Sequence, residues 1–189
     1  MIVGVSLWSR LTNRRTPTCT CCANGLDASD PRFNLSLPTP VAELSETEFD
    51  EQVIWVSDQV VITRTLGGFV RVLLPVPLTD GRTATIGIWA SVSSEDFEEQ
   101  LRIGRGEAPH SGASLEGRLA NDLEPWGDSI LAAPVRIASP GERRTLVVLP
   151  DSHPRVAEIL TSRWRPAEVL PASMAWALDY DPAAHVRNV

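Results

Sequence analysis

The stretch from Thr83 to Ile103, TATIGIWASVSSEDFEEQLRI, constrains the fold of this chain more than any other. Ala84, Ile86, Ile88 and Ala90 recur at a spacing of two, which places them on one face of a strand. Thr83, Thr85, Gly87 and Trp89 fall on the other face. Ser93 and Ser94 then offer N-cap oxygens, and Glu95 and Asp96 put carboxylates into a first helical turn, where the helix dipole favours them. Phe97 and Leu101 return to the core on the inner side of that helix. A strand feeding directly into a capped helix calls for an α+β domain.

The residues before this stretch supply its partner strand. Thr79-Asp80-Gly81-Arg82 carries the Asp-Gly signal of a tight hairpin, so Phe69–Leu78 is expected to run antiparallel to Thr83–Val92. Two shorter β-rich runs, Val53–Val56 and Val60–Thr63, flank a turn at Ser57-Asp58. Ahead of them Ser45 and Glu48 have the spacing of a capping box, which predicts a short helix to about Gln52. Pro31, Pro38 and Pro40 require the segment before that to be extended or looped.

Beyond Ile103 the chain is harder to read. Gly104–Gly117, with His110, reads as an exposed loop. Leu115–Leu123 is expected to form a helical turn closed by Pro125-Trp126-Gly127. Ile130–Ala138 and Thr145–Leu149 read as a hairpin across Pro140-Gly141, with Arg143 and Arg144 at a solvated tip. Asp151-Ser152-His153-Pro154 is a helix start, with His153 at the cap and Val156, Ile159 and Leu160 at helical spacing. The expected core comprises Val61, Phe69, Val72, Ile86, Ile88, Phe97, Leu101, Ile137, Val147, Val156 and Leu160.

Composition narrows the function classes. The net charge is −7, and all 17 basic residues are arginine, so no nucleic-acid footprint is expected. No run approaches the roughly 20 apolar residues of a membrane span. The opening MIVGVSLW lacks a preceding basic region, so no secretory signal is expected and the cytoplasm is the default. G-x-S-x-G, P-loop and H-E-x-x-H motifs are all absent from the sequence.

The one chemically suggestive cluster is Cys19-Thr20-Cys21-Cys22. Cys19 and Cys22 have the spacing of a zinc knuckle or a redox pair. Zinc wants four ligands, however, and no second C-x-x-C or paired histidine follows, His110, His153 and His185 being far apart. Asn24-Gly25 reads as a turn rather than the helix start that would stabilise a thiolate. Buried or idle thiols are the simpler expectation.

Taken in order, CTCC (19–22), the strand ending in LLPVP (73–77), GIWASVSSEDFEEQL (87–101) and HPRVAEI (153–159) resemble the uncharacterised bacterial family called domain of unknown function 2199. The resemblance covers about residues 18 to 160, and it implies a compact bacterial domain without an established activity. The family's start reads C-x-C-C-G-x-x-H, whereas Ala23 and Leu26 stand at the glycine and histidine positions here.

The sequence thus predicts an α+β fold with a mainly antiparallel sheet of about five or six strands and about three flanking helices. Residues 1–17 form a weakly structured extension, 18–165 a single domain, and 166–189 a C-terminal extension with a short helix around Ser173–Leu178. The favoured function is a non-enzymatic binding or regulatory module with an unidentified protein or small-molecule partner. Its candidate contact residues are Arg71, Trp89 and His153. The alternative is an enzyme, or a metal or redox protein using Cys19 and Cys22. No cofactor is expected, zinc being the alternative. Protein purified without added zinc should therefore carry less than about a tenth of an equivalent by elemental analysis, since two thiolates leave the tetrahedron half empty.

Overall fold

The computed structural model describes residues 27–109, 114–127, 129–139 and 145–178. In chain order the elements are β1 (Arg32–Asn34), α1 (Thr39–Ala42), α2 (Glu46–Gln52), β2 (Val53–Val56), β3 (Val60–Thr63), β4 (Gly68–Pro77) and β5 (Thr83–Val92). There follow α3 (Ser94–Arg105), β6 (Leu115–Leu119), β7 (Pro134–Ala138), β8 (Val147–Val148), α4 (Pro154–Thr161), α5 (Pro166–Val169) and a 3-10 helix, Ala172–Ala177.

The hairpin around Asp80-Gly81 forms in the expected place. β4 and β5 pair antiparallel along their whole length, from Phe69 opposite Ser91 to Pro77 opposite Thr83. Gly81 sits at φ +88°, in the left-handed region that a side chain would strain. Pro75 and Pro77 do not end the strand, because alternation decides which amides each edge needs. The Arg71 and Leu73 amides donate away from β5, to Gln59 O and Leu146 O. Residues 75 and 77 share that direction, so the N–H groups missing there would have faced away from β5.

The sheet corrects the expectation of five or six mainly antiparallel strands. Eight strands make one mixed sheet, with β1 parallel to β5 and β4 parallel to β8. The order β4-β5-β6-β7-β8 returns to β4 through Leu73 opposite Val147, which closes a five-stranded barrel. β3 and β2 extend from the start of β4 as a two-strand flap, and β1 lies beside the middle of β5. Leu115–Leu119 is a strand, not a helical turn: Leu115 and Leu119 are buried while Glu116 and Arg118 face water. That is a period of two, which the following Asn121–Gly127 turn obscured.

The inner face carries the main core. Val70, Val72, Leu74 and Val76 of β4 meet Ala84, Ile86, Ile88 and Ala90 of β5 there, joined by Leu119, Val135 and Ile137. Phe97 from α3 and Val156, Ile159 and Leu160 from α4 pack onto the same cluster. On the opposite face of β5, Trp89 joins Val41, Val61, Phe69 and Ala120 in a smaller cluster. Two expected core residues are only half-buried. Leu101 borders an apolar cavity of about 360 Å3. Val147 yields the inward position to Val148, a one-residue shift that inverts the faces.

Local capping follows the sequence. Ser45 and Glu48 form the reciprocal box on α2, and Ser93 Oγ accepts the Asp96 N–H at the start of α3. His153 Nδ1 accepts the Arg155 N–H at the start of α4, with Pro154 in the first turn. Beyond α4, Val169, Leu170, Met174 and Ala177 are buried in the main core.

Arg82 ties the segment before β1 to the 3-10 helix. Its side chain is 4% exposed, pairs with Asp80, and donates to Ala28 O at 2.5 Å and Ala177 O at 2.8 Å. Burial pushes the Asp80 carboxyl up, but the hydrogen bonds and charge of Arg82 outweigh it, and its pKa lies below the usual 3.8. A carboxylate with a depressed folded pKa contributes stability above the unfolded value and loses it as pH falls through the folded one. Asp80→Asn should therefore destabilise the protein more at pH 7 than near pH 3, read from urea midpoints at the two pH values.

Candidate functional site

The structure brings Arg71 and Trp89 together, opposite one another across β4 and β5. The guanidinium carbon lies 4.2 Å from the Trp89 ring centroid, a cation–π contact. Arg71 Nε donates to Asp58 O at 2.5 Å, and Nη1 donates to Leu35 O at 3.0 Å and Gly87 O at 3.3 Å. Burial lowers its pKa and the Asp58 charge raises it in part; the group keeps its proton at neutral pH. Trp89 is fully buried, and its Nε1 donates to Leu35 O as well. The pair is thus a strut: it ties the β2–β3 turn and the chain after β1 to the barrel wall.

Neighbouring polar groups extend the strut. Asn121 is buried, accepts the Trp89 N–H through Oδ1 at 2.7 Å, and donates from Nδ2 to Leu37 O at 2.9 Å. A side chain at Gly87 would meet the Asn34 side chain, which would have to turn away. Neither Asn121 nor Arg82 was legible as structural from the sequence. Each is one polar residue in a loop, and its distant partners are backbone groups that no sequence pattern marks.

His153 lies elsewhere, in an open groove of about 550 Å3 to which neither Arg71 nor Trp89 contributes. Arg118, Arg136 and Asp151 line it too, and Arg136 is ion-paired with Asp151. With Nδ1 accepting the Arg155 N–H, the ring position at which a triad carboxylate orients a catalytic imidazole is already used. The groove is polar, of mixed charge and open to water. Among the described residues, no group of three or more His, Cys, Asp or Glu side chains is placed to hold a metal ion. Cys19, Cys21, Cys22, His110 and His185 lie outside the described residues.

The feature that sequence reading passed over is the free edge of β2. Among the described residues this strand ends the sheet order, paired with β3 on one side only. Ile54, Trp55 and Val56 are 54%, 59% and 42% exposed, three large apolar side chains in succession. Ile54 is the extra residue of a bulge between Val53 and Trp55, which turns it out of register with β3. The run Val53–Val56 reads as a short β-rich segment, and apolar residues without alternation do not tell a buried strand from an exposed one until the neighbours are known.

The family described as "Uncharacterized protein conserved in bacteria (DUF2199)" matches residues 18–161. The chain belongs to this family. No curated protein and no solved structure matches it. Among the described residues of this DUF2199 protein, no helix is long and apolar enough to cross a membrane. The matched stretch contains β1 to β8 and α4, hence the barrel, the strut and the exposed edge, while α5 and the 3-10 helix lie beyond it.

If Arg71 is a strut, replacing it should loosen the flap before the barrel. Arg71→Met should lower stability by about 1.5–3 kcal/mol, the range for hydrogen bonds from a charged donor. Hydrogen exchange should accelerate first at the β2–β3 amides, and uniform acceleration across β4 and β5 would contradict the assignment.

Proposed function

We propose that this protein is a non-enzymatic docking module whose contact element is the free edge of β2. The observation that carries the reading is the exposure of Ile54, Trp55 and Val56 in succession on an unpaired edge strand. An edge strand presents unpaired N–H and C=O groups, and folded proteins ordinarily blunt such edges with charge or cover. Here β2 holds no charged residue, and the chain has no lysine to place there. Tryptophan is the residue type most enriched where a small contact carries most of the binding energy.

The mode that fits is strand addition: an extended segment pairs with the β2 backbone while its side chains pack on Ile54, Trp55 and Val56. The bulge limits regular pairing to the end of the strand around Trp55 and Val56. The docked segment is therefore short, and side-chain contacts carry much of the affinity. In this reading Arg71 and Trp89 do not touch the partner. They hold the β2–β3 flap rigid, so that its edge is presented without a large ordering cost. His153 serves as the α4 cap. The setting proposed is the cytoplasm, with neither nucleic acid nor membrane as the surface met.

The test uses peptides selected against the whole protein from a random phage-displayed library. Selected peptides should bind Trp55→Thr at least about tenfold more weakly, as for loss of an aromatic anchor. Methylating their backbone nitrogens at alternate positions should cost about tenfold as well, through lost ladder hydrogen bonds. Trp55 is more than half exposed, so the substitution spares the fold. Peptides indifferent to both changes would overturn the reading.

A further inference from the structure

We infer that the segment docking on β2 is cationic: an extended, arginine- or lysine-bearing stretch of another protein. This rests on the strand-addition reading and adds the chemistry of the partner. Residues 33–63 contain Glu43, Glu46, Glu48, Asp50, Glu51 and Asp58 and no arginine, lysine or histidine. That segment alone carries −6 of the chain's net −7. α2 runs directly into β2, and Asp58 sits in the turn that follows, so the carboxylates bracket the apolar edge at both ends.

The distances make the field effective. Four strand residues span about 13 Å, and screening at physiological salt acts over about 8 Å. Glu46, Asp50, Glu51 and Asp58 are exposed, and Glu48 is held ionised by its hydrogen bonds from Ser45. Among the described residues, cations also approach from neighbouring elements, Arg105 lining a cavity with Gln59 and Val60. Arg64 donates to Glu51 O and Arg71 to Asp58 O, both to backbone carbonyls. The exposed carboxylates at both ends of β2 outnumber these cations among the described residues, which gives the edge a net acidic field.

This charge also argues against a second copy of the chain as the occupant. An antiparallel pair of β2 strands would bring the end of α2 in each copy, with Asp50 and Glu51, toward Asp58 of the other. Like charges brought together in this way repel. The bulge at Ile54 further breaks the regular pairing that self-association needs. A cationic segment meets neither obstacle, because its basic residues would flank the apolar contact and face the carboxylates.

The peptides selected against the whole protein test this directly. Those that depend on Trp55 should be enriched in arginine and lysine over the starting library. They should also bind a Glu46→Gln/Asp50→Asn/Glu51→Gln variant about three- to tenfold more weakly, as expected for a few exposed charge pairs. Neither Ser45 nor Glu48 is altered, so the α2 cap is kept. Peptides that need Trp55 but show no basic excess and ignore the charge variant would overturn the cationic partner and leave the docking edge standing. Failure to recover any Trp55-dependent peptide would overturn both. Dimerisation of the free protein that Trp55→Thr abolishes would assign the edge to a second copy instead.

Discussion

A ten-residue antiparallel pair satisfies one edge of each strand, and each remaining edge, roughly 33 Å long, must find partners elsewhere. β4 and β5 meet this constraint by dividing their outer edges between successive neighbours. β5 pairs with β1 over residues 85–87 and with β6 over 90–92. β4 pairs with β3 over 68–70 and with β8 at Leu73. Because β6, β7 and β8 connect the second pairing of one strand to the second pairing of the other, the sheet must curl onto itself. Closure is thus a consequence of two long strands with split edges, and the buried face they enclose is the main core.

Split edges create junctions, and the polar clamps sit at them. Arg71 lies between the β3 and β8 pairings of β4, where it answers carbonyls from the β2–β3 turn, the chain after β1, and β5. Arg82 does the same at the hairpin end for Ala28 and Ala177. Arginine suits both places, since its planar fork addresses several carbonyls at fixed angles. Lysine would supply the charge without the fork. An all-arginine complement, whatever its origin, is consistent with this use of guanidinium as a backbone tie.

Local structure was legible in the sequence wherever a short-range rule decides it. The Asp80-Gly81 turn, the Ser45–Glu48 box, the Ser93 and His153 caps and the alternation of residues 83–90 are of this kind, and the structure has all of them. What the sequence could not show is long-range. The parallel pairing of β8 with β4 rests on a two-residue strand, and β1 has only three residues. Neither carries a periodic signal. Arg71 and Trp89 share a face in the sequence, which suits either a contact patch or packing under a neighbouring element, and the tryptophan lies at the bottom of a second small core. Alternation named the face correctly, but whether that face is wet depends on Leu37, Leu44, Phe49 and Val53, which return from a remote part of the chain to cover it.

The same covering explains why one apolar strand is left over. The loops and α2 that bury Trp89 spend their apolar residues inward, Phe49 and Val53 among them. β2, which carries the cover back to β3, then pairs with none of the other described residues on its outer side. A closed barrel removes edges from its own five strands, and any strand appended to it reintroduces one. β1 limits this cost by being short and ending in polar Asn34, whereas β2 bears Ile54, Trp55 and Val56. A bulge and a ring of carboxylates are weaker protection than a lysine within the strand, because they discourage identical or acidic neighbours while leaving the backbone donors and acceptors reachable. An edge so defended is selective rather than closed. In the proposed reading it repels its own kind and stays open to a strand of opposite charge.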